Sequence, residues 1–301
     1  MSIDYNSNSE KTLTFIVPDE YDKKDAKTFL RKYCELSART LSKLKRTYMG
    51  ITRDGELLKS SDLVNSGDVV KLSMPEDINE IEPVKGELNI LYEDEHILVV
   101  NKGSMMPVHP TKIHQHDTLA NIVCYYMQTN NEYYTFRAVN RLDRDTSGCL
   151  LIAKDRYTAN LLPKTVKKEY VAVCEGEIYS SGTVNKPIKV MEGRSIQRVT
   201  SEDGQYSVTH YFPLMAENNH TLTKFILETG RTHQIRCHMS SIGYPLAGDD
   251  MYGGSLEYIS RQALHCYKIS FTHPVTNEFI EVIADLPRDI CSVLDKEITK
   301  I

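Results

Sequence analysis

Between Met74 and Glu87 the chain reads Met-Pro-Glu-Asp-Ile-Asn-Glu-Ile-Glu-Pro-Val-Lys-Gly-Glu. Two prolines, one glycine and five acids in fourteen residues cannot extend a helix or a central strand. This stretch is therefore expected to be a semi-rigid, self-repelling joint that divides the chain into two bodies. The charge on either side supports the division. Residues Lys11 to Tyr48 hold ten Lys and Arg against five acids, whereas Glu76 to Glu95 holds one Lys against eight acids. The overall net charge of −5 hides this basic segment. The expected layout is a disordered tail over 1–11, a small domain over 12–74, an acidic linker over 75–87 and a larger domain over 88–301.

Several classes fall away. No apolar run approaches the roughly 20 residues that span a bilayer, and the N-terminus has neither the basic region nor the apolar core of a signal peptide. Seven scattered cysteines without a Cys-x-x-Cys argue for a reducing cytoplasm, against a disulfide framework and against structural zinc. His109, His114 and His116 fall close together, but no acid or cysteine stands at a ligand spacing, so no metal is expected. No oligomerisation stripe is visible, and a monomer is expected.

In the first domain, Thr12 to Val17 reads as a strand. Lys23 to Cys34 reads as a helix with Ala26, Phe29, Leu30 and Tyr33 on one face. Ser37 is placed to cap a second helix, with Leu41, Leu44 and Tyr48 along one side. Arg39, Lys43, Lys45 and Arg46 decorate it. A turn at Met49 to Gly55 and the strand after Ser66-Gly67-Asp68 follow. Ser37-x-Arg39-x-Leu41-x-Lys43-Leu44 and Gly67-Asp68-Val69-Val70 resemble the α-L RNA-binding domain. The resemblance implies that Arg39, Lys43, Lys45 and Arg46 meet RNA phosphates, which gives affinity with little sequence choice.

In the second domain, Leu88–Tyr92 and His96–Lys102 read as two strands. Asp117 is placed to cap a helix of Leu119, Ile122, Val123 and Tyr126. The charged turn Asn140-Arg141-Leu142-Asp143-Arg144-Asp145-Thr146-Ser147-Gly148 leads into the apolar run Cys149 to Ala153. Asp155 then caps a short helix. Lys167 to Val173 reads as a strand with Tyr170 and Ala172 on one face. Asn185 to Tyr206, with Arg194 and Arg198, reads as a mobile loop or an irregular hairpin. After the strand Leu222–Leu227, Gly230 leads into a helix with Ile235, Met239 and Ile242 on its apolar stripe and Gly243 as its stop. Two last strands cover 263–271 and 279–284. The fold class is α+β: a small basic domain, then a mixed, mainly antiparallel sheet with helices packed on it.

Three fragments carry the chemistry: Asn140 to Gly148, Lys168-Glu169-Tyr170, and Thr229-Gly230-Arg231-Thr232-His233-Gln234-Ile235-Arg236. Together with Asn101-Lys102, Gly248-Asp249-x-x-Tyr252-Gly253 and Leu264-His265, they resemble the catalytic domain of RluA-type pseudouridine synthases over about residues 88–290. The resemblance implies isomerisation of a uridine in structured RNA, ribosomal or transfer, without metal or organic cofactor. It implies that Asp143 is the catalytic aspartate, attacking C1′ or removing a sugar proton on a glycal-type path. It implies that Arg236 pairs with that carboxylate, that Tyr170 stacks on the uracil or acts at C5, and that Arg141 fills the space left by the flipped nucleotide. Asp145 falls at a variable position and receives no role. His233 is left as a turn-stabilising partner. Asn140, where histidine or tyrosine is common, and Lys102-Gly103-Ser104, in place of a usual Lys-Pro, depart from the pattern.

Two other readings compete. A non-catalytic RNA-binding or ribosome-assembly factor would keep the fold without needing Asp143, Tyr170 and Arg236. A glycosidase-like enzyme on free nucleosides would not need the basic first domain, and its binding would be insensitive to salt.

Overall fold

The computed structural model describes residues 2–5, 11–74, 80–132, 134–193 and 196–294. Strands β1 (Ser2–Tyr5) and β2 (Lys11–Ile16) pair antiparallel, Ser2 opposite Thr14. The expected disordered tail is therefore corrected over residues 2–5, while 6–10 lie outside the described residues. β3 (Ile51–Arg53), β4 (Glu56–Leu57) and β5 (Val69–Met74) complete a sheet of order β1-β2-β5-β3-β4. Helix α1 (Ala26–Lys32) starts three residues later than expected, because Lys23 takes a left-handed φ and Asp25 caps Thr28. Helix α2 (Ala38–Leu44) is capped by Ser37, as its sequence predicts. Ala26, Phe29, Leu30, Leu41 and Leu44 form one core with Leu13, Phe15, Val70 and Leu72. Tyr48 is 92% exposed, so the apolar stripe of α2 ends at Leu44.

Past residues 75–79, which lie outside the described residues, the acidic joint does not hang free. Ile81 packs against the larger core, Val84 N–H donates to Asn121 O and Asn121 Nδ2 donates to Glu82 O. Asn121 belongs to helix α3 (Leu119–Thr129). Its cap is Thr118 in a reciprocal box with Asn121, not Asp117, whose carboxylate instead meets His114 at 2.6 Å.

The larger sheet has nine strands. They are β6 (Ile90–Glu93), β7 (Ile97–Lys102), β8 (Ser147–Ala153), β9 (Lys167–Glu175), β10 (Gly182–Asn185), β13 (Val208–Glu217), β14 (His220–Leu227), β15 (Leu264–Thr272) and β16 (Phe279–Ile283). The order is β10-β13-β14-β9-β15-β8-β7-β6, with β16 also on β15. All pairings are antiparallel except β8 with β15, which run parallel through His265 opposite Ser147 and Cys266 opposite Gly148. β11 (Ile188–Val190) and β12 (Arg198–Thr200) form a separate hairpin, so the 185–206 stretch takes the irregular-hairpin form; Arg194 is outside the described residues.

Strand β8 is buried along its whole length, the pattern of a central strand covered on both faces. Alternation sets the two faces of β9. Tyr170, Ala172 and Cys174 join the core covered by α3, α4 (Arg156–Thr165) and α5 (Gln234–Ser240). Val171 and Val173 join a second core closed by α6 (Arg288–Ser292), an element the sequence pattern did not suggest. Asp155 caps α4 as expected, and the helix runs on to Thr165.

Helix α4 also joins the two bodies. Its Tyr157 is buried in the core of the first sheet, with its ring edge-on to Phe15 at 5.8 Å. Asn160 Nδ2 donates to Glu35 O, and Lys164 pairs with the Glu35 carboxylate at 2.9 Å.

Candidate active site

The charged turn before β8 is a loop held by hydrogen bonds from three sides. At its entrance, the buried Asn140 side chain runs along β8. Its Oδ1 accepts from Leu151 N–H at 2.8 Å and its Nδ2 donates to Cys149 O at 3.2 Å. A buried amide satisfied in this way fixes the direction of the chain. From one flank, Lys102, 1% exposed, donates from Nζ to Arg144 O, Met106 O and Gly103 O at 2.9, 2.8 and 2.7 Å. Burial pushes this amine down to about 7, while the charges of Asp145 and Asp143 pull it the other way. From the other flank, Arg261 Nη1 donates to Asp145 O at 3.0 Å, with its Nε and Nη2 forked onto Asp289.

At the exit, Gly148 has φ +110, and a Cβ there would sit 2.3 Å from Cys266 O. Glycine alone permits this conformation together with the close approach of β15.

Held this way, Asp143 lines a small open cleft together with Thr146, Tyr170, His233, Gln234 and Leu264. Arg141, Asp143, Tyr170 and Arg236, which come from three separate stretches of chain, all line it. Arg236 Nη1 donates to Asp143 Oδ2 at 3.2 Å, and His233 Nε2 is 3.7 Å from the same oxygen. Asp143 Oδ1 has no hydrogen-bond partner among the described residues.

Arg236 is itself anchored. Its Nε and Nη2 fork onto both oxygens of the buried Asp249 at 2.7 and 2.8 Å, and its guanidinium lies over the Tyr252 ring at 5.0 Å. Burial opposes its charge, but the Asp249 and Asp143 carboxylates more than offset this and raise its pKa. Asp249 was missed as a site residue. The Gly248-Asp249 fragment was its only signal, and nothing in the spacing shows that its partner lies thirteen residues earlier.

The loop before α5 brings His233 to the cleft. His233 takes a left-handed φ of 56, and its Nδ1 is 3.1 Å from Tyr252 Oη, the turn-stabilising role expected of it. Its approach to Asp143 was not foreseen. Burial lowers its pKa, partly opposed by Asp143. Gln234 fastens the same loop with bonds to Thr229 Oγ1, Arg231 N–H, Val208 O and Thr209 Oγ1.

Tyr170 lies deeper. Burial pushes its phenol well above the usual range, with Cys266 and Asp143 adding to the shift. A hydroxyl so placed stays protonated at neutral pH, which suits a stacking ring or a donor better than a phenolate base. Arg141 is exposed at the rim, with Nη2 on Thr232 Oγ1 at 3.1 Å. Asp145 turns its carboxylate away, onto Arg144 at 3.0 Å through two bonds.

The four cations assigned to α2 do not line this cleft. Lys45 and Arg46 line a groove against α1 with Lys27 and Arg31. Burial lowers the pKa of Lys43, and the charges of Arg156, Arg137 and Arg39 add to the shift. The three imidazoles near residue 110 also go different ways: His114 to Asp117, His116 to Glu82, and His109 edge-on to Phe136.

A family model described as RNA pseudouridylate synthase matches residues 96–241. The uncharacterized RNA pseudouridine synthase YhcT of Bacillus subtilis (strain 168) is 41% identical over 245 residues, covering 78% of this chain and 81% of its own. Ribosomal large subunit pseudouridine synthase D of Pseudomonas aeruginosa is 37% identical over 265 residues, covering 81% and 82%. Among solved structures, human RNA Pseudouridylate Synthase Domain Containing 1 aligns with a TM-score of 0.56 and 27% identity, over 69% of this chain and 86% of that one.

Proposed function

This chain belongs to the RNA pseudouridylate synthase family, and from that premise we propose that it modifies uridines of ribosomal RNA with Asp143 as the reacting carboxylate. It is an RNA pseudouridine synthase, an isomerase that converts uridine within RNA to pseudouridine. In that reaction the bond from C1′ to N1 breaks, a bond from C1′ to C5 forms, C5 loses its proton and N1 gains one. The relative named for the large ribosomal subunit supports the choice of RNA.

The observation that carries the role of Asp143 is its asymmetry. Oδ2 is held by Arg236, while Oδ1 has no hydrogen-bond partner among the described residues, in a side chain that lines the cleft. A carboxylate fixed through one oxygen presents the other in a defined direction, which lowers the reorganisation needed at the anomeric carbon. Arg236 positions it. Tyr170 gives the uracil a stacking face. Arg141, released from Thr232, occupies the gap in the RNA stack once the nucleotide has left it. The first domain grips RNA phosphates through Arg39, Lys43, Lys45 and Arg46. The protein works in the cytoplasm as a monomer without metal or organic cofactor; among the described residues no helix is long and apolar enough to cross a membrane.

Pseudouridine mapping of ribosomal and transfer RNA from cells lacking the gene tests this reading. Complementation with the wild type is expected to restore ribosomal sites, and complementation with Asp143→Ala is expected to restore none. Rescue by the alanine variant would overturn the catalytic assignment. Loss confined to transfer RNA would overturn the choice of substrate.

A further inference from the structure

Three arginines line the cleft, Arg141, Arg231 and Arg236, against one aspartate, Asp143. Arg236 shares its charge between Asp143 and the buried Asp249. The other two are exposed, and among the described residues neither meets a carboxylate. Arg141 Nη2 donates to Thr232 Oγ1 at 3.1 Å, and Arg231 Nε donates to Tyr206 O at 3.2 Å. Thr232 follows Arg231 directly, so the loop before α5 gathers both cations at the mouth. Two unneutralised guanidinium groups beside one opening repel each other and attract an anion.

Arg231 is held ready for one. Its backbone N–H donates to Gln234 Oε1 at 3.0 Å, and Gln234, 3% exposed, is fastened to Val208 O and Thr209 Oγ1. The Tyr206 carbonyl then fixes the head of the side chain through Nε. Nη1 and Nη2 have no hydrogen-bond partner among the described residues. These two nitrogens present parallel N–H groups, the fork that matches two oxygens of a phosphate. A long side chain tied at both ends also loses less freedom when it binds.

The substrate supplies the anion. A uridine within RNA carries a phosphodiester on each side of its ribose. When the base leaves the stack and enters the cleft, those phosphates stay at the mouth. We infer that Arg231 binds a phosphate flanking the extruded uridine and anchors the RNA backbone there while the base occupies the cleft. The contact rests on the pseudouridine synthase reading, but not on whether the RNA is ribosomal or transfer. It sets register without reading a base. The phosphate is unchanged as the bond from C1′ to N1 breaks, so the contact is as strong before that step as during it. Its loss should therefore weaken binding and leave the rate of the bound complex nearly intact.

The test follows single-turnover pseudouridine formation by the full chain on ribosomal and transfer RNA from cells lacking the gene. Enzyme is in excess at several concentrations, over roughly 50–200 mM salt. Arg231→Gln is expected to raise the half-saturating enzyme concentration about tenfold and to keep the saturated rate within about threefold of wild type. It should also reduce the slope of log affinity against log salt by about one. Arg231→Lys keeps the charge without the fork, so it should hold the wild-type slope and recover part of the affinity. A lower saturated rate with an unchanged salt slope would show that Arg231 acts only by holding Tyr206, and overturns the phosphate contact. A lysine variant with the slope of the glutamine variant overturns it too. If the wild type forms no pseudouridine on either RNA, the underlying reading fails and takes the contact with it. If the wild type is active and the slope of Arg231→Gln does not move, only the contact fails.

Discussion

Arg236 and Arg261 both reach the loop that carries Asp143, and with the same chemistry. Each is 6% exposed and forks a carboxylate with two short bonds. Each places a remaining N–H on the loop. They differ in where that donor ends and in how dry the fork is. Arg236 reaches the Asp143 side chain and is anchored on a fully buried Asp249. Arg261 reaches the Asp145 backbone carbonyl and is anchored on Asp289, whose side chain is 46% exposed. One guanidinium orients the proposed reacting group and the other steadies a backbone. The difference lies not in the residue type but in whether its third contact is a carboxylate that lines the cleft.

That contrast can be broken or sharpened by substitution. The largest effect is expected at the end of the Arg236 arm. Asp143→Asn should lower single-turnover pseudouridine formation by at least about 10³-fold. Its melting temperature should stay within a few degrees, since Arg236 keeps Asp249. Asp145→Asn, whose carboxylate faces Arg144, should stay within about threefold of wild type. Comparable losses for the two would erase the distinction between side-chain and backbone arms.

Next comes the anchoring pair. Asp249→Ala leaves a buried guanidinium without its main partner and should destabilise the fold by about 3–5 kcal/mol in urea unfolding. Asp289→Ala, where water reaches the gap, should cost about 1 kcal/mol. Equal costs would show that burial does not separate the forks.

A third test concerns the loop exit that both arms depend on. Gly148→Ala forces a side chain into φ +110 and against Cys266 O, and about 2 kcal/mol or more of stability should be lost. A variant as stable as wild type would show that β8 and β15 can part there without cost.

The smallest increment is a pH dependence at the same joint, at most about 1.4 kcal/mol per pH unit. His265 sits between Ser147 Oγ at 2.8 Å and Ala284 O at 3.1 Å, and burial pushes its ring down to about 4, partly opposed by the Ala284 carbonyl. An unfolded imidazole takes its proton near 6.5. Between about 6.5 and 4 the unfolded chain therefore binds a proton that the folded chain does not, so stability falls as pH falls through that window. Urea midpoints between pH 7 and 4 should show this slope, and His265→Gln should reduce it. An identical slope in the variant would place the acid sensitivity elsewhere.

The elements set by local pattern were legible. Ser37 and Asp155 announce their helices because an N-cap acts within three residues, and the two faces of β9 follow from alternation alone. Asp143, Tyr170, Arg236 and Arg141 were legible only as fragments of a family resemblance, and the fold brings them to one cleft. What stayed hidden was long-range. Asp249 as the anchor of Arg236, Lys102 as a clamp on three carbonyls, and Arg261 beneath Asp145 are pairings between elements, and composition is silent about them. The capping position after Asp117 was misread because two candidates stood side by side and Thr118 has the reciprocal Asn121. The acidic joint misled in another way. Its composition suggests a semi-rigid, self-repelling linker, yet Glu82 and Val84 hydrogen-bond to Asn121 of α3 and Tyr157 enters the first domain's core. Deleting residues 1–75 would therefore bare an apolar face on α4, which makes point substitutions the cleaner probe of the RNA grip.

The parallel contact between β8 and β15 has a consequence for synthesis of the chain. Ser147 and His265 are 118 residues apart, and Asp143 and Arg236 are 93 apart. Closing loops of that size must precede any gain from the contacts they bring. β15 slots between two strands already made, and Arg261 finds Asp289 later still in the sequence. A nascent chain emerging from the ribosome therefore holds Asp143 and Tyr170 long before their cleft can form, which happens only when β15, at the start of the last eighth of the molecule, has been threaded into the middle of its sheet.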